Sequence, residues 1–121
     1  MAFGLYILVD GEPVEAIDVL TWGRWMSDEE NVRVALFISE RVMVSTVFLG
    51  LDTSLSFLLP NTLPVLFETM VFCEGEEYDR YQRRYQTLEE AMIGHEQVCA
   101  MVGVNEPENN NPDDNPLKKT D

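Results

Sequence analysis

The sequence predicts an α+β fold: an antiparallel sheet of about five strands packed by two helices. Three observations carry this. Residues 32–39 and 41–51 are apolar, rich in β-branched side chains and nearly contiguous, as in a hairpin. Residues 65–73 repeat the strand-like alternation. From Leu88 to Val102 the apolar residues recur at helical spacing.

The elements follow in order. "LYILVDGEPVEAI" (5–17) is an apolar strand, an Asp-Gly turn and a second strand, since Asp10-Gly11 supplies the positive φ of a tight hairpin. Asp18 is placed to cap a helix over "VLTWGRWMSDEE" (19–30), with Val19, Trp22 and Trp25 or Met26 on one face. Gly23 weakens that helix. Within 41–51, Val42, Val44, Thr46 and Phe48 share one face and Met43, Ser45, Val47 and Leu49 the other. Both faces are largely apolar, which predicts a central strand covered on both sides. Residues 52–64 read as a loop of unusual apolar content, suited to packing on a partner or a twin subunit. In "VLFETMVFC" (65–73), Glu68 stands among apolar neighbours and calls for a partner, most economically an arginine. Thr87 and Glu90 form a capping box ahead of the last helix. Its expected apolar stripe is Leu88, Ala91, Met92, His95, Val98, Cys99 and Val102.

A chain of 121 residues with 45% hydrophobic content is expected to form one globular domain, here residues 1–103. Residues 104–121, rich in Asn, Asp and Pro, bury too little to offset their ordering entropy, so a disordered tail is expected. No apolar run reaches the ~18–20 residues that span a bilayer. No basic region precedes the first apolar stretch, so neither a membrane nor a secretory role is expected, and the location expected is cytoplasmic. Cys73 and Cys99 are then expected to be reduced thiols, with no C-x-x-C pattern. No cofactor is expected. No metal site is expected either, because His95, the only histidine, has only Cys99 at helical spacing beside it.

The net charge is −14. Beyond residue 103, five carboxylates against two lysines contribute −3, which leaves −11 for the body. Such a body repels nucleic acid and welcomes a basic surface. The plainer role of the charge is solubility.

Four blocks, "DVLTWGRWM" (18–26), "VSTVFLGLD" (44–52), "LFETMVF" (66–72) and "RYQTLEEAMIGHE" (84–96), resemble a family of small proteins encoded by bacteriophages and prophages. The resemblance covers most of the body and omits the tail. It brings no assigned chemistry. It implies a phage accessory protein in a bacterial cytoplasm, acting against a host defence by sequestering a nucleotide signal or by occluding a defence protein.

The residues offer three candidate chemistries. In "YDRYQRRYQT" (78–87) an extended backbone points Tyr81, Arg83 and Tyr85 one way and Arg80, Gln82 and Arg84 the other. A guanidinium between two phenols suits a phosphate with a base stacked beside it. The structural alternative is that these arginines neutralise Glu74, Glu76, Glu77 and Asp79, or pair with Glu68. Trp22 and Trp25 flanking Arg24 suggest a stacking wall, or simply core. His95 with Glu68 and Ser45 or Thr46 supplies hydrolytic residue types, but no nucleophile motif surrounds the serine. Asp52 is a further carboxylate that nothing in the sequence positions. The expectation is therefore a non-enzymatic, homo-oligomeric binding protein. Its ligand would be a small phosphorylated, cyclic-nucleotide-type signal, held by Trp22, Arg24, Trp25, Glu68, Tyr81, Arg83, Arg84, Tyr85 and His95. The alternatives are an acidic decoy for a basic nucleic-acid-binding host protein and a small hydrolase using His95 and Glu68.

Overall fold

A computed structural model describes residues 3–54, 58–59, 61–75 and 78–103. The tail, and residues 55–57 and 60 of the apolar loop, lie outside the described residues.

The fold is α+β, with antiparallel strands in two sheets. β1 (Tyr6–Val9) and β2 (Glu12–Glu15) form a two-stranded hairpin. Its turn holds Asp10 at φ 52° and Gly11 at φ 82°, the left-handed pair that matches the twist of adjoining strands. The five-stranded sheet expected from the sequence is thus divided. The hairpin stands as its own sheet, tied to the larger one by a Leu5–Leu51 bridge and a Tyr6 N–H donated to Gly50.

Asp18 caps α1 (Val19–Met26), its carboxylate accepting from the Thr21 N–H at 2.7 Å. The single helix expected over 19–30 is broken at Ser27. Asp28 turns out of the helical region and caps a separate short α2 (Glu29–Val32), accepting from the Glu30 N–H. Asp is a poor interior residue and a strong cap, so the break falls beside it.

β3 (Arg33–Ile38), β4 (Val42–Phe48), β5 (Phe67–Cys73) and β6 (Gln82–Tyr85) make a four-stranded meander in sequence order. α3 (Leu88–Gly103) packs across one face of it. The capping box forms as expected, with the Glu90 N–H donating to Thr87 Oγ1 and the Thr87 N–H to Glu90 Oε1.

The core lies between α3 and this face. Val42, Val44, Val71 and Cys73 meet Val98, Cys99 and Val102 at one end. Phe48, Leu66, Phe67 and Tyr85 meet Ala91 at the other, extended by Trp25, Met26, Tyr6 and Leu8. A buried Phe contributes roughly 2–3 kcal/mol, so Phe48 and Phe67 anchor this second cluster. Gly50 joins α1 to it: at φ 72° its carbonyl accepts the Trp22 indole N–H at 2.9 Å, and a Cβ there would run into the Met26 thioether.

Among the described residues, the helical cover lies on one side of the sheet. Along β4 the buried residues are Val42, Val44, Thr46 and Phe48, while Met43, Ser45 and Val47 are half-buried. The expectation of cover on both sides is corrected: among the described residues α3 is the only helix across the sheet, and the residues of the other face are half-buried or exposed. Met92, placed in the α3 core stripe by its spacing, is 53% exposed, and Gly94 takes the buried position instead.

Candidate functional site

The alternation read in 81–86 holds, and it separates the arginines. Arg83 turns to the α3 side, where it donates to Gln97 Oε1 at 2.8 Å and to the Tyr81 hydroxyl at 3.2 Å. Arg84 turns to the opposite face and pairs with Glu68, Nε to Oε2 at 3.1 Å. Glu68 thereby has the arginine partner its sequence context demanded. Arg80, at φ 67°, lies exposed beside Asp79.

Tyr85 does not make a second wall for Arg83. It is buried, and its hydroxyl donates to Thr69 Oγ1 at 2.9 Å. Gly94 makes this fit: a Cβ there would fall within the Tyr85 phenol. Trp25 packs edge-on against Phe48, and Trp22 is spent on Gly50. Arg24 lies on the exposed side of α1. The structure therefore brings Tyr81 to Arg83 and Glu68 to Arg84, and does not gather the predicted arginines into one pocket.

His95 and Glu68 lie on opposite sides of the sheet. His95 belongs instead to a buried hydrogen-bond chain that the sequence did not reveal, between the two apolar clusters. Tyr85 donates to Thr69; Thr69 lies against Thr46; Thr46 Oγ1 is 2.7 Å from His95 Nδ1; His95 Nε2 is 3.4 Å from Cys99 Sγ. Each hydroxyl has one proton, so with the tyrosine as donor, the arrangement that uses every proton of the chain runs in one direction. Thr69 donates to Thr46, Thr46 to Nδ1, and the Nε2 proton points to sulfur. That is the neutral imidazole, and burial holds the His95 pKa below its ordinary value. Burial, reinforced by Glu96, pushes the Cys99 thiol up to about 11. A thiol this basic is a poor nucleophile at neutral pH. Asp52 is positioned after all: it accepts from the Ser54 N–H, the Ser54 hydroxyl and the Val65 N–H, and so shapes the loop after β4.

The described surface holds a different feature, a cleft of roughly 610 Å³ between the β1–β2 turn and the start of α3. Gly11 brings the turn so close that a Cβ would lie 3.3 Å from the Leu88 side chain. Pro13, Met92 and Ile93 give the cleft an apolar floor, and Asp10, Glu12, Glu89 and Glu96 surround it. No arginine or lysine lines it. Sequence reasoning missed this site because it joins segments some eighty positions apart. The available signal was on α3, where Met92 and Ile93 cannot both share a face with Ala91 and His95.

No family model matches the chain, and neither does any curated protein or solved structure.

Proposed function

We propose that this is a non-enzymatic binding protein that engages a basic protein partner, taking a basic amphipathic segment of that partner into the cleft between the β1–β2 turn and α3. The observation that carries the reading is the apolar floor of Pro13, Met92 and Ile93 ringed by four carboxylates with no cation among the lining residues. An amphipathic helix sets its apolar side on such a floor and its lysines or arginines against the rim. The −11 body steers a basic partner toward it and repels the nucleic acid that partner would otherwise hold. In the phage context implied by the sequence blocks, the protein acts as an acidic decoy for a basic host protein. Capture of a small phosphorylated signal draws less support, because Arg83 and Arg84 face opposite sides of the sheet and each is already engaged.

The test is fluorescence anisotropy with a labelled amphipathic peptide bearing lysines on one helical face and leucines on the other. Binding is expected at low salt and should weaken as salt rises. Glu89→Gln with Glu96→Gln, or Met92→Ser alone, should weaken it by about tenfold, while Arg83→Ala and Arg84→Ala leave it unchanged. No binding, or binding indifferent to the cleft substitutions, overturns the reading.

A further inference from the structure

We propose that the cleft between the β1–β2 turn and α3 is held, when no partner is present, by Leu117, Lys118 and Lys119 of this same chain, which thereby regulate access to it. The regulation rests on the partner reading above.

Composition names the segment. Lys118 and Lys119 are the only lysines of the sequence, and Leu117 is the only leucine, isoleucine, methionine or aromatic residue beyond Gly103. A leucine beside two ammonium groups is a short form of what the cleft suits. Met92 and Ile93, 53% and 51% exposed, offer the leucine a floor. Asp10, Glu12, Glu89 and Glu96 offer the lysines a rim. The intervening residues carry Glu106, Glu108, Asp113 and Asp114, which that rim repels, so the spacer does not compete for the cleft.

Length fits as well. The cleft lies beside the first half of α3, and the spacer leaves from the far end of that helix, at Gly103. Met92 stands eleven residues back from Gly103, about 16 Å along a helix axis. Residues 104–116 supply a tether of thirteen. An unordered chain of that length averages about 20 Å end to end and can stretch to about 45 Å. A tether matched to its span gives an effective concentration on the order of millimolar. One leucine and two lysines can then hold the cleft and still yield to a longer basic segment.

Two other grooves of the described surface suit the segment less. Beside Met43 and Phe72, Glu40, Glu74 and Asp79 share their groove with Arg41. Asp79 there already accepts the Cys73 N–H and stands 3.9 Å from Arg80. The groove next to Gly94 is lined by Arg84. Of the three, the cleft alone has no cation among its lining residues.

A nitroxide attached through Thr120→Cys reads the docking in the full chain with no partner present, since Cys73 and Cys99 are buried. It should bleach the methyl NMR signals of Met92 and Ile93 and spare that of Met43. Added salt should restore the signals, as should Leu117→Ser with Lys118→Gln and Lys119→Gln. No bleaching at Met92, equal bleaching at Met43, bleaching that survives the substitutions, or bleaching only between separate chains overturns the inference. The regulation is read with the lysine–leucine peptide. The three substitutions should tighten its binding roughly three- to tenfold by freeing the cleft. Leu117→Ser alone, which leaves the charge unchanged, should act in the same direction. Equal affinity for wild type and both variants overturns the inference. A peptide that binds none of them strikes the partner reading alone, because the methyl signals are recorded without it.

Discussion

Thr46 and His95 stand 49 positions apart in sequence and meet in the core at 2.7 Å, hydroxyl to Nδ1. In the arrangement that runs from Tyr85, the threonine proton satisfies this ring nitrogen. Thr46→Val keeps the shape and removes the donor. It should cost about 1–3 kcal/mol in urea denaturation, the penalty of a buried acceptor left unpaired.

The same histidine sets an acid limit on the fold. Burial lowers its folded pKa below the unfolded value of about 6.5. Below that value the unfolded chain takes up a proton that the native core refuses. The stability contributed by neutral His95 is therefore fully present above about pH 6.5 and is lost as pH falls through the lower, folded pKa. Urea midpoints measured from neutral pH downward should decline over this window. In His95→Gln the decline there should be shallower. Equal slopes in both proteins would count against the argument.

Cys99, with its thiol near 11 and its sulfur buried beside the imidazole, should resist a thiol reagent at neutral pH. Cys73 is buried as well. Ellman titration should find both thiols in urea and neither rapidly in the native protein. Fast native labelling would mean that the core opens far more readily than its packing allows.

Gly94→Ala should destabilise the protein by about 1–3 kcal/mol, an overpacking cost, since the added methyl displaces the Tyr85 ring and with it the first donor of the buried chain. Gly23→Ala, where a Cβ meets nothing within 4 Å, should instead stabilise α1 by about 1 kcal/mol. Thermal melts of the two variants should move in opposite directions.

Local chemistry was legible in the sequence. Asp10-Gly11, Asp18 and the Thr87–Glu90 box each declare their role within a few residues, and each forms. Strand alternation also foretold that Arg83 and Arg84 point apart. Which side of a four-residue strand faces the core was not legible, because so short a run has too few positions to show a bias. Tyr85 therefore read as a ligand contact when it is a core donor. The division into two sheets, the buried threonine pair and the acidic cleft depend on how distant segments meet. Asp28 was legible in principle, since an aspartate preceding two glutamates is a helix start as readily as a helix interior.

The strand order has a further consequence. In the larger sheet every strand pairs with its neighbour in sequence, from β3 through β6, with no crossover. The meander can zip outward from the β3–β4 hairpin, and each added strand closes only a modest loop. Among the described residues α3, which follows the last strand, covers most of the packed face, while α1 and the β1–β2 hairpin cover its Phe48 end. During synthesis the sheet is thus complete before its roof is made. For that interval the Val42–Val44–Val71 part of the packed face lacks its cover, and a ribosome that stalls ahead of α3 holds a chain with that apolar surface exposed.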